Sequence, residues 1–160
     1  MSELFLEYRD IVVFLHLLGA VIWVGGMVAI RFVAHSAIVQ IESPKVRLDT
    51  TLLTLKNLFN MVLPFVAIIF LSAVILALIY GGHNGSYSTL FYAKEAIWSI
   101  MAINFFLMRA KRNKAQKELE NGKIPKASKS LATIGKYMVP LNISLGLVAL
   151  FIGVVLSGVY

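Results

Sequence analysis

Apolar positions along this chain are continuous rather than periodic, gathering into four runs near residues 11–30, 58–80, 91–108 and 137–159. Each approaches the roughly 20 residues with which a helix crosses a hydrocarbon core of about 30 Å. Charged residues fall almost entirely in the intervals. The pattern predicts an all-α fold, an integral membrane four-helix bundle that forms a single transmembrane domain over residues 1–160. Composition agrees, because a chain that is 59% hydrophobic and 14% charged leaves apolar surface exposed in any small soluble fold. The runs use up most of the chain, so any chemistry belongs inside the bundle or at its rims. Acidic Glu3, Glu7 and Asp10 precede the first run and basic residues follow it, the reverse of a cleavable signal, so it reads as a retained first span.

The intervals themselves read as helix. Ser43-Pro44 is a capping residue followed by proline at the first helical position, and Leu48, Leu52, Leu55 and Phe59 continue at helical spacing into the second span. Arg109 to Asn121 reads as a basic extension of the third span, with Lys114 and Glu118 four residues apart and Gly122 as the stop. Pro125 then restarts a helix. Pro64 and Pro140 are expected to kink the second and fourth helices and to free carbonyls that Asn57, Asn60 and Asn142 can cap. Gly25 with Ala29, and Ala149 with Gly153 and Ser157, place small residues four apart, the spacing that lets another helix approach. The same faces suit a homo-oligomer.

Charge supplies a direction. Thirteen of the fifteen lysines and arginines lie in the first and third connectors and adjoining span ends, leaving Arg9 and Lys94 on the other side. The positive-inside rule makes the basic side cytoplasmic. The expectation is a multi-pass protein of a bacterial-type inner (cytoplasmic) membrane with both termini external. The net charge of +7 is accounted for by a basic rim against lipid headgroups, and no nucleic-acid partner is implied.

Several chemistries drop out. With no cysteine there is no thiolate metal site, iron–sulfur cluster or disulfide. Neither a phosphate-cradling glycine loop with its lysine nor a serine nucleophile elbow occurs. His16, Arg31, His35 and Lys94 remain, supported by Trp23, Met27 and Met101. His16 lies about 8 Å inside the first span. An ionisable ring at that depth is a functional-site candidate, suited either to a metal at the centre of a flat macrocycle or to a hydrogen bond with a freed carbonyl. Counting along antiparallel spans sets Val74, Ile97, Trp98 and Gly153 at similar depth, with Met101 a turn deeper. Arg31 and His35 read as a rim pair against lipid phosphate. Lys94 reads as an anchor that snorkels to headgroups, with Glu95 as its counter-ion. His83, in the glycine-rich turn Gly81-Gly82-His83-Asn84-Gly85-Ser86, reads as a solvated loop residue.

The order of these residues resembles the HemJ-type protoporphyrinogen IX oxidases: a first-span histidine, a tryptophan seven residues on, a basic residue and second histidine at the span end, Tyr92-Ala93-Lys94 entering span three, and Val139-Pro140 opening span four. His16-Leu17-Leu18-Gly19-Ala20-Val21-Ile22-Trp23-Val24-Gly25-Gly26 is also similar to the CopD-like membrane domain. The first resemblance implies a haem b protein that oxidises protoporphyrinogen and passes electrons to respiratory-chain components. It implies His16 as iron ligand, Trp23 and Met101 beside the cofactor, and Arg31 and Lys94 as catalytic cations that meet carboxylates. Ile30 stands where that family has proline, Tyr92 where it has histidine, and no histidine accompanies Asn104-Phe105-Phe106. Met101 or an open position would then serve as sixth ligand. The second resemblance implies copper, with His16, Met27, Met61, Met101 and Met108 as soft donors for Cu(I). A non-catalytic membrane subunit is the third class, and it leaves the buried histidine unexplained.

Overall fold

The structure, a computed structural model, describes residues 7–80 and 87–157. The 81–86 turn with His83 lies outside them. Four helices, each long and apolar enough to cross a membrane, make up the protein: α1 (Arg9–Ile38), α2 (Pro44–Tyr80), α3 (Ser88–Glu120) and α4 (Ile124–Ser157). No strand occurs among the described residues. This is the expected all-α four-helix membrane bundle, and the spans prove longer than the apolar runs because the connectors are helical too.

Local signals explain the boundaries. Helix α2 starts at Pro44, where the missing N–H costs nothing, and the Ser43 carbonyl accepts the Arg47 N–H at 2.9 Å. Helix α3 ends in a Schellman turn. Gly122 adopts φ +72°, its N–H donates to the Leu119 carbonyl, and the Lys123 N–H donates to the Glu118 carbonyl. Helix α4 opens with Pro125 in its first turn. The Lys114–Glu118 pair does not form: the Glu118 carboxylate instead accepts a hydrogen bond from Ser130 Oγ at 3.1 Å, tying α3 to α4. Helix α2 runs without interruption through Pro64. In α4 a π turn, Ile134–Met138, lies immediately ahead of Pro140. A second π turn, Ile30–Ala34, interrupts α1 where no proline occurs.

The core is a column of close contacts. Trp23, Phe59 and Phe105 meet edge to face at mid-height, with centroids 5.8 and 5.4 Å apart. Ala115, Leu119, Ala127 and Leu131 continue it between α3 and α4 at the basic end. Lipid tails are as apolar as leucine, so helix association rests on van der Waals fit and on polar contacts between helices. The fit is made at Gly19, Gly26 and Gly146. A methyl at Gly19 would lie 2.7 Å from Ile69 Cγ1, at Gly26 2.8 Å from Leu58 Cδ1, and at Gly146 2.5 Å from Val24 Cγ2. Gly25 and Ala29, expected to pack, face outward, and a methyl at Gly25 would meet nothing within 4 Å. The polar contact is an asparagine pair: Asn104 Nδ2 donates to Asn142 Oδ1 at 2.7 Å and to the Met138 carbonyl at 2.8 Å, and Asn142 Nδ2 donates to the Met101 carbonyl at 3.3 Å.

These contacts give a stability prediction. Gly146→Ala should destabilise the bundle by about 1–3 kcal/mol, because the short Val24 side chain has no flexible bond with which to swing aside. Gly25→Ala should cost nothing. Thermal unfolding of both variants in detergent checks the contrast, and equal melting temperatures would contradict this packing.

Candidate functional site

The site grows from one side chain. His16 lies on α1 two turns before Trp23, half-buried, with its Nδ1 2.9 Å from Ser72 Oγ on α2. Ser72 is buried in an otherwise apolar stretch, and its hydroxyl lies 2.7 Å from the Ile68 carbonyl and 3.1 Å from the Ile69 carbonyl of its own helix. A hydroxyl has one proton and two lone pairs. With that proton directed to Ile68 the oxygen accepts from the ring and Nε2 carries the free lone pair; with it directed to Nδ1 the roles reverse.

Helices α3 and α4 supply a second polar contact. The Lys94 ammonium lies against Gly153, where a methyl would come within 3.3 Å of Nζ. His16 with Ser72, and Lys94 with Gly153, thus form two polar contacts in the half of the bundle away from the basic end. Any bulkier residue at 153 would press on the lysine, so glycine keeps room for its head.

The expected neighbours are partly rearranged. Gly153 faces α3, but Val74 is 45% exposed and Ser72, two residues earlier, faces His16. On α3 Lys94 packs against Gly153. Trp98, one turn deeper, stacks on Phe70 with centroids 5.2 Å apart. Trp23 and Met101 are buried in the core, with Met101 Sδ–Cε packed toward Gly146 beside Val24. At the usual helical rise both lie about 10 Å deeper than His16 and Lys94. The indole N–H groups of Trp23 and Trp98 are buried with no hydrogen-bond partner among the described residues. Arg31 is half-buried in the α1 π turn, about 22 Å from His16 along the helix, with exposed His35 four residues on. His16 and Lys94 therefore lie in the same half of the bundle, and Arg31 lies at the opposite end. Met27 and Met108 are fully buried in the core, whereas Met61 is half exposed.

Ser72 escaped sequence reasoning, although a lone hydroxyl in the second span was a signal that could have found it. Chemically, the arrangement offers an imidazole held at Nδ1 by a hydroxyl, with a lysine in the same half of the bundle. Among the described residues no three His, Asp or Glu side chains converge on a point that could cage a metal ion. Comparison with family models, with curated proteins and with solved structures finds no match to this chain.

Proposed function

We propose that this protein is a haem-linked membrane redox protein of the protoporphyrinogen-oxidising kind, with His16 as the one protein ligand to the iron. The carrying observation is the His16–Ser72 contact, which anchors Nδ1 and, where that nitrogen is the donor, leaves Nε2 free. Metal-ligating histidines adopt this form, with the second nitrogen donating to a partner that fixes ring orientation. Haem b, when bound, supplies electron exchange between a porphyrinogen and membrane carriers. The chain's own residues bind and orient. Ser72 holds the imidazole, Lys94 pairs with a propionate carboxylate that is costly to bury alone, and the surrounding apolar helices exclude water. Arg31, at the far end, would meet a second acidic group or lipid phosphate.

Growth of a cell that lacks its own protoporphyrinogen oxidase, without added haem, tests the activity. Rescue by this chain is the expected result; absence of rescue by a protein that reaches the membrane returns the question to the alternatives. A copper or electron-transfer role would use the same His16. A non-catalytic subunit is favoured by one observation, the outward-facing Gly25 and Ala29, which leave α1 open to another backbone.

The proposed orientation puts the basic end in the cytoplasm of a bacterial-type cell and the His16 layer near the external face. Reporter fusions at the C-terminus and at Gly122 should report external and cytoplasmic locations respectively. A cytoplasmic signal from the C-terminal fusion would invert the assignment.

A further inference from the structure

The basic end carries a second polar site, remote from His16. Between the lower halves of α2 and α3 lies a cleft of about 390 Å³ lined by Asp49, Leu53, Lys56, Arg112, Gln116 and Glu120. A smaller hollow adjoins it, sharing Lys56 and Arg112 and adding Phe59, Asn60, Arg109 and Asn113. Lys56 and Arg112 line both hollows, and Arg109 lines the second. Arg109 donates to the Phe59 carbonyl at 3.1 Å and Arg112 to the Leu52 carbonyl at 3.0 Å, fixing both guanidinium groups in the cleft. Asn113 and Gln116 accept from Arg112, so its polar contacts are neutral. Among the described residues none of Lys56, Arg109 and Arg112 makes an ion pair. Glu120 reaches Arg112 only through Gln116, which accepts from Arg112 and donates to Glu120 at 2.9 Å, so the cations keep room for an anion.

Two further features identify the anion. Counting about 20 residues back from Tyr80 along α2 puts the edge of the hydrocarbon near residue 60, and Arg109 on α3 falls at the same edge. The cations therefore lie at the depth of lipid phosphates. One turn closer to the membrane, Leu63 and Phe106 are exposed apolar surface for acyl chains. In the other direction the charge reverses on both helices: Asp49 lies about 10 Å beyond Lys56, and Glu120 about 12 Å beyond Arg112. Reading outward from the membrane, the cleft offers apolar surface, then positive charge, then negative charge.

We propose that this cleft binds the headgroup of an amine-bearing phospholipid of the phosphoethanolamine class. The phosphodiester sits among Lys56, Arg109 and Arg112, and the ammonium faces Asp49 and Glu120. A headgroup with phosphate but no amine satisfies only the first half, and a soluble phosphate would gain nothing from Leu63 and Phe106.

Native mass spectrometry of the full chain in detergent tests this, with phosphatidylethanolamine and phosphatidylglycerol supplied in equal amounts. Separate samples contain millimolar inorganic phosphate or free phosphoethanolamine. The wild type should retain phosphatidylethanolamine in preference to phosphatidylglycerol and should keep it against both soluble competitors. Lys56→Gln, which removes a side chain with no described partner, should lower retention of both lipids about threefold, the scale of one exposed charge contact. The Asp49→Asn, Glu120→Gln double variant should bind both lipids alike. Circular dichroism confirms that each variant is helical. Equal retention of the two lipids by the wild type, full retention by Lys56→Gln, or displacement by soluble phosphate would each overturn the proposal.

Discussion

Replacing His16 with alanine is expected to abolish haem binding while the protein still inserts into the membrane. The span becomes more apolar on losing a ring, so insertion is not compromised. Of the other two histidines, His35 is exposed at the basic rim and His83 lies outside the described residues, so His83→Ala joins His35→Ala as a control; the chain has no cysteine. Rescue of a strain deficient in protoporphyrinogen oxidase should be lost with the cofactor. His35→Ala and His83→Ala should retain both. Ser72→Ala separates coordination from orientation: it leaves Nε2 in place but removes the acceptor that holds Nδ1–H, and should weaken haem retention about 10- to 100-fold rather than eliminate it. Titration of the purified variants with haem reads this difference directly. Ser72→Ala indistinguishable from wild type would remove the tautomer argument.

The second large effect concerns the two cations, which the geometry separates. Lys94 packs against Gly153 in the half of the bundle that holds His16, so Lys94→Met should remove a charge-assisted contact to a carboxylate. That loss is about 1.5–3 kcal/mol, roughly a 10- to 100-fold fall in affinity for a ligand that bears propionates. Arg31→Met should leave affinity at the His16 layer unchanged, because the arginine lies at the other end of α1. Comparing binding of haem with that of an esterified porphyrin, whose carboxylates are masked, provides the control: Lys94→Met should matter only for the free acid. Equal losses for both porphyrins would make Lys94 a packing residue, and a loss in Arg31→Met as large as in Lys94→Met would contradict the separation of the two.

Much of the architecture could be read from the chain because each feature had a local cause. The apolar runs marked four spans, Pro44 and Pro125 marked helix starts, and Gly122 marked the one positive φ among the described residues. Which face of each span points inward was far less legible. In a soluble helix the polar face shows the direction, but in a bilayer both core and lipid faces are apolar, so orientation is carried only by small and polar residues. Gly25 and Ala29 had the right spacing and yet face outward, while Gly19, Gly26 and Gly146 make the close approaches. Depth suffered in the same way. Counting from span ends led to Val74, whereas the partner of His16 is Ser72, because helices that extend beyond the bilayer by different lengths need not align at their ends. The Asn104–Asn142 pair was half visible. Asn142 was expected to cap a carbonyl near a proline and caps Met101 across the bundle, while Asn104 takes the Met138 carbonyl close to Pro140.

The central claim is that His16, held through Nδ1 by Ser72, presents a free nitrogen to a haem iron. The visible spectrum of the detergent-purified wild type, recorded oxidised and then reduced with dithionite, tests it most directly. The account predicts a Soret band, with alpha and beta bands that sharpen on reduction and disappear in His16→Ala. A wild-type protein that remains colourless after expression with ample haem, or a His16→Ala variant with the full spectrum, would contradict it.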